Sequence, residues 1–303
     1  MDPAAWNEMG TSDFVLLGLW APPPLRPLLW AALLAAYLAT VLGNGTLGGL
    51  IALDQRLHWP MCRLLAPLAL LGTAYVSTTL SQVLVHVTAR RATLSPARCG
   101  AQLYLGISLG SCEAILLAAM ALDRCLAVCQ PLRYAAIMTP ARCAPLATTA
   151  WRWASCCRPP VDHFPCELPA VLKTACADTA ADHVLVYGLG TPILLVPLAF
   201  ILASYALILA AVGQLPSAKS RLKALSTCSS HLAVVGLFYG TVTATYLRPR
   251  GSSALPAKRH KLVAVFYLVI TPVLNPLIYS LRNREVNAAA ATPLPGSRGR
   301  ALC

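Results

Sequence analysis

Charge is what this sequence has least of. Asp, Glu, Lys and Arg make up 12% of its 303 residues, about half the usual share of about 25% in a soluble domain. Acids are scarcest, 11 against 24 basic residues, for a net charge of +13. A chain this poor in charge and 57% hydrophobic cannot clothe a soluble surface, which excludes an ordinary soluble domain. Aromatics are only 7%, and the basic residues are scattered over connecting segments, not gathered with aromatics. That excludes a nucleic-acid footprint and reads as loop charge near lipid. No nucleophile–base pair or metal-ligand set stands at membrane depth, so neither enzyme activity nor a cofactor is expected. There is no internal repeat and no matched pair of broken segments, which counts against a transporter. The first 25 residues lack a basic start and a short apolar core, so no cleavable signal is expected; the first apolar run should act as its own insertion signal.

What the sequence does have is length without charge. Several uncharged runs exceed the roughly 18 residues that mark a membrane helix. They mark spans at about 27–53, 64–89, 99–128, 184–212, 224–247 and 262–281, with a shorter apolar stretch at 143–157. Asn44, within the first, is a polar amide in lipid and should face a partner helix. Glu113, in the third, is the one mid-depth acid, costing about 2.5–3.5 kcal/mol if unpaired; it is either a contact facing the bundle or a neutral packing group. Of twelve cysteines, all but the terminal Cys303 fall into two sets. Cys62, Cys112, Cys125, Cys129, Cys143 and Cys228 lie in or beside apolar runs, where a buried thiol is usual. Cys125 and Cys129 are one helical turn apart, but no third ligand accompanies them, so no metal site is expected. Cys99, Cys156, Cys157, Cys166 and Cys176 lie in polar segments, a pattern that suits disulfides in an oxidising compartment.

The chain is organised around MALDRCLAVCQPLRY, residues 120–134. Here an apolar run meets an acid–base pair, Asp123–Arg124, before Pro131 ends or bends the helix. Spacing alone leaves two readings, a regulated ion pair at the inner membrane boundary or a solvated helix end. The stretch resembles MAYDRYxAICxPLxY of the mammalian odorant (olfactory) receptors, of the rhodopsin-like G-protein-coupled class. LHWPM at 57–61, KALSTCSSHL at 223–232 and PVLNPLIYSLRN at 272–283 resemble the same family's motifs, the second being the most specific. The resemblance covers about residues 10–286 and implies an all-α membrane protein, a seven-transmembrane helix bundle over 1–286, with a flexible cytoplasmic tail at 287–303. Asn275-Pro276 would free a backbone carbonyl and kink the seventh helix near Tyr279.

Several positions depart from the family pattern. Leu122 and Cys125 replace tyrosines, and Gly72 stands where relatives carry an intramembrane Asp that helps bind sodium. The fourth span is abnormally short. At most 143–157 can serve, roughly 22 Å of helix against about 30 Å of hydrocarbon, and Arg152 must reach along lipid toward water. By comparison with the family, roughly fifteen to twenty residues are missing here, against the roughly 20 a span needs.

The resemblance implies a receptor, not an enzyme, whose partners are a small odorant ligand, a heterotrimeric G protein of the olfactory Gs type that raises cAMP, and the lipid bilayer. The ligand would lie among Ile107, Gly110, Ser111, Ile193, Tyr239, Thr243 and Tyr246. Coupling and switching would rest on Asp123, Arg124, Tyr205, Lys223, Asn275 and Tyr279. Disulfides would join Cys99 to Cys166 and Cys156 to Cys176, each worth about 2–4 kcal/mol. The plasma membrane is the implied site, with the amino end outside. Charge does not decide orientation, because the 24 basic residues divide equally between the two sides. Two alternatives remain: a degenerate, receptor-like product that no longer signals, and, remotely, a transporter.

Overall fold

A computed structural model of the chain describes residues 14–15, 23–88, 93–94, 96–131, 180–246 and 269–282. Span numbers follow the seven expected segments. The first-span helix is Arg26–Leu53, the second Pro60–Thr88 and the third Pro96–Cys129. The fifth-span helix is Ala180–Gly213, the sixth Ala218–Tyr246 and the seventh Thr271–Arg282. The expected fourth span, 143–157, lies outside the described residues, as do 262–268 of the seventh and the tail. Among the described residues, four helices are long and apolar enough to cross a membrane, or five with the sixth-span helix, which is bent by 43° between Ser226 and Cys228. At that bend Ser229 Oγ donates to the Ser226 carbonyl at 2.8 Å, a side-chain bond of the kind that bends helices.

The bundle is apolar outside and partly polar within. Leu28, Leu42, Leu70, Val196, Leu202 and Leu209 are exposed, as a lipid-facing surface requires. Asn44, Thr79, Ser111, Ser204, His231 and Asn275 are buried. Lipid supplies no hydrophobic drive for helix association, so close packing and hydrogen bonds must hold the helices together. The third-span helix is the hub: it packs on the second, the fifth and the sixth. The first packs on the second and on the seventh. Gly43 permits the latter approach, since a Cβ there would sit 3.3 Å from Pro276 Cγ. Pro276 lies inside the seventh-span helix, so helix 1 has a glycine where the proline ring of helix 7 presses against it.

Two short features close the ends. Asp54 caps the 3-10 turn Gln55–Leu57 by accepting from the Arg56 backbone N–H at 2.9 Å. The Arg56 guanidinium grips the same carboxylate, with Nη2 to Oδ2 at 2.8 Å. These hydrogen bonds hold the Asp54 carboxyl below its ordinary range. At the other end, Phe14–Val15 pairs antiparallel with Thr93–Leu94. The polar arm expected over residues 1–24 therefore carries a strand, and it lies over the connection between spans two and three. The amino arm and the start of the third helix share one face of the bundle.

Candidate functional site

The inner half of the bundle is tied by one hydrogen-bond chain. Tyr205 Oη lies 2.8 Å from His231 Nδ1, and His231 Nε2 lies 3.0 Å from the Leu117 carbonyl. A carbonyl can only accept, so Nε2 carries the proton and Nδ1 accepts from the tyrosine hydroxyl. The tautomer is thereby fixed. Helices 3, 5 and 6 are joined at one imidazole placed just beyond the bend of helix 6. His231 belongs to KALSTCSSHL but was not among the expected switch residues. Its signal was a histidine in an otherwise apolar run, with a tyrosine on the neighbouring span able to pair with it.

Losing a buried partner costs about 1–3 kcal/mol. His231→Phe should therefore lower the thermal midpoint of purified receptor, and Tyr205→Phe should lower it less. The double variant should cost less than the two singles together, because they share one bond. Strict additivity in that cycle would show that the two side chains act separately.

The charge pair lies below this chain. Arg124 Nε is 3.9 Å from Asp123 Oδ2, with side chains 19% and 1% exposed. Arg124 Nε makes no hydrogen bond, so the guanidinium is held by charge more than by geometry. Asp123 is buried, which disfavours the solvated helix end as a reading of this pair. Tyr205 and Tyr279 are buried nearby, within electrostatic reach of Arg124. Lys223 is exposed in the second turn of the sixth-span helix.

Higher in the bundle, Asn275 Nδ2 donates to Glu113 Oε1 at 3.3 Å, joining helices 7 and 3. Glu113 thus faces the bundle. Asn44 does so too, at 4% exposure, and its Nδ2 has no hydrogen-bond partner. The reason stands opposite. A Cβ on Gly72 would lie 3.1 Å from Asn44 Nδ2, so the Asn44 amide has moved into the room that a side chain at position 72 would take. The sodium implied by the resemblance does not fit these residues. The acid is absent, and an amide N–H, a donor, faces the place where it would be.

The expected ligand residues divide. Ser111 and Tyr239 are buried, while Ile107, Gly110 and Ile193 are half-buried. Ser111 Oγ is already spent on the Ile107 carbonyl of its own helix at 2.7 Å. The Tyr239 hydroxyl is buried and makes no hydrogen bond; its ring packs edge-on to Phe238 at 5.0 Å. Thr243 lies on a different stripe. It is exposed on the same stripe as Leu232, Gly236 and Gly240, while Phe238, Tyr239 and Val242 form the inward stripe. Helical phase separates the two stripes, because one residue beyond Val242 the helix has rotated by about 100°. Tyr246 ends the sixth-span helix and Cys99 lies in the first turn of the third, but their side chains are outside the described residues. Cys156, Cys166 and Cys176 are outside them altogether.

Comparison with known proteins agrees with these motifs. The family model described as "Olfactory receptor" matches residues 33–294. Human olfactory receptor 2G3 is 40% identical, covering 96% of this chain and 98% of its own. Human olfactory receptor 2W3 is 41% identical over 96% and 97%, and mouse olfactory receptor 2A7 is 41% identical over 91% and 93%. The first alignment runs over 305 positions yet takes in 96% of the 303 residues, about 291 of them, so some 14 positions have no residue in this chain. Matched along nearly its whole length, this chain belongs to the olfactory receptor family of seven-helix membrane receptors.

Proposed function

We propose that this chain is an odorant receptor of the plasma membrane, with its amino end outside, that binds a small hydrophobic or volatile molecule within the bundle and activates a heterotrimeric G protein of the Gs type, raising cAMP. The observation that carries the reading is the His231 junction, set beside Asp123–Arg124 at the inner end of helix 3. Helix 6 is pinned to helices 3 and 5 at one point, so a ligand that favours the separated state shifts the population toward an exposed Arg124. Cys99–Cys166 and Cys156–Cys176 disulfides would tie the second outer loop over the ligand.

The Tyr239 hydroxyl narrows the ligand class. It is a buried donor not yet used, so a compound with one acceptor oxygen, such as an aldehyde, ketone or ester, fits better than a hydrocarbon. The test is a cAMP assay in transfected cells across a broad odorant panel, with surface expression confirmed. Tyr239→Phe should then raise the half-maximal concentration of an oxygenated agonist roughly 2–12-fold, the equivalent of one hydrogen bond of about 0.5–1.5 kcal/mol. It should leave the response to an isosteric hydrocarbon unchanged. Silence across the panel from protein present at the surface would favour the second reading, a receptor-like product that does not signal. Gly72, with Asn44 in the vacated room, favours that reading.

A further inference from the structure

We propose that the first stretch of helix 6, Ala218–Ser226, is a docking surface for the anionic phospholipid headgroups of the leaflet at its end of the bundle. The bend of 43° sets this stretch at an angle to the membrane-crossing part, Cys228–Thr243. Ser220 and Ala224 are half-buried and mark the side turned to the bundle. At about 100° per residue, Leu222 falls on the opposite side, and it is 70% exposed. Leu225, 39% exposed, lies beside it. Lys219 and Lys223 flank Leu222 on one side and Arg221 on the other, and all three are exposed. The surface does not depend on whether the receptor binds an odorant or couples to a G protein.

An apolar centre with cations on both flanks is the pattern of a helix lying at a membrane surface. The leucines enter the acyl region, and the long basic side chains reach back to the phosphates. Charge complementarity points to an anionic partner. No Asp or Glu occurs between Asp182 and Glu285, and Lys219, Arg221 and Lys223 make no ion pair among the described residues. Their charge is therefore not neutralised by the neighbouring sequence. The stretch is also a formed helix and not a loose loop. Ser217 caps it by accepting from the Ser220 backbone N–H at 3.2 Å, and Arg221 Nε donates to the Leu215 carbonyl at 2.9 Å. That bond steadies the guanidinium at the helix start and leaves its Nη groups to outside acceptors. In the proposed orientation the leaflet is the cytoplasmic one, where anionic lipids concentrate.

The experiment uses the full chain in nanodiscs of phosphatidylcholine and phosphatidylserine mixed in a known ratio. Both leaflets have the same composition, so the result does not depend on orientation. A photocrosslinking benzoylphenylalanine replaces Leu222 or, in separate samples, Leu225 or Leu202, and mass spectrometry counts the adducts of each lipid. Leu202, exposed in the middle of helix 5, should return the mixing ratio. Positions 222 and 225 should favour phosphatidylserine about fivefold over that ratio, what one Lys or Arg near an anionic surface is worth. The preference should vanish when Lys219→Gln, Arg221→Gln and Lys223→Gln are combined, and it should fade in high salt. The probe at 225 keeps the question answerable if the one at 222 disturbs the fold. Lipid adducts at the mixing ratio with the native charges in place, or adducts only to the receptor's own residues, would overturn the surface. So would crosslinks that move from lipid to an added Gs heterotrimer, which would give this face to the G protein.

Discussion

Arg124→Ala is expected to bring agonist-driven cAMP to background while the amount of receptor at the surface stays unchanged. The argument starts from burial. Asp123 is 1% exposed and Arg124 19%, so this charge pair is not ordinary loop charge. At 3.9 Å two unit charges attract by about 4 kcal/mol at an effective dielectric near 20, before desolvation is subtracted. That attraction holds the guanidinium against helix 3 in the resting arrangement. On the proposed reading, activation releases it toward the face where the G protein would engage it. Alanine removes the group that does the engaging, but it leaves the His231 junction between helices 3, 5 and 6 in place. Asp123→Asn weakens the hold without removing the arginine, so it should raise basal cAMP. Dose–response curves matched for surface protein measure both effects. A normal agonist response in Arg124→Ala would remove this pair from the coupling site.

Much of this was legible in the sequence because membrane physics writes it plainly. Uncharged length predicted helices in which Leu faces lipid, and the cost of an amide in hydrocarbon predicted that Asn44 turns inward. The olfactory-receptor membership followed from DRC, KALSTCSSHL and PVLNPLIYSLRN, short strings that carry polar groups into the buried interior at Asp123, His231, Asn275 and Tyr279. What escaped was set by phase or by pairing across distant segments. Thr243 was placed in the ligand set by motif register, while helical phase sets it on the exposed stripe with Leu232 and Gly240, apart from Tyr239 and Val242. The His231 junction needs three helices at once, and no single stretch of sequence announces it. The empty room at Gly72 looked like simple loss of an acid. Only the packing reveals that the Asn44 amide lies against this position, where a Cβ would sit 3.1 Å from Asn44 Nδ2 and the amide would have to give by a few tenths of an ångström. The strand Phe14–Val15 was hidden because two residues carry no periodic signal, and its partner lies in another loop.

The fourth segment decides whether any of this reaches a cell surface. Cys129, at the carboxyl end of helix 3, touches Leu207, near the carboxyl end of helix 5. The two helices therefore run parallel, and Ala180 begins helix 5 on the face opposite Cys129. The seven-helix family pattern expects one crossing between them, in a stretch that lies outside the described residues. The sequence offers 143–157 for that crossing, roughly 22 Å of helix where about 30 Å is needed. Bilayer thinning absorbs mismatch at fractions of a kcal/mol per Å, while Arg152 adds up to about 3 kcal/mol if held at depth. Crossing is thus strained, and we expect inefficient insertion and low surface delivery. Inserting about 18 apolar residues after Trp151, enough for a full span, should raise surface protein several-fold. Ala177→Asn creates the glycosylation sequon Asn-Asp-Thr just before helix 5, and Met9→Thr creates Asn-Glu-Thr in the amino arm as a control. The control should be glycosylated. The Ala177→Asn site should be modified only partially at native length and efficiently once the span is lengthened. Efficient modification at native length would mean that the short segment crosses unaided and that its strain is too small to limit delivery.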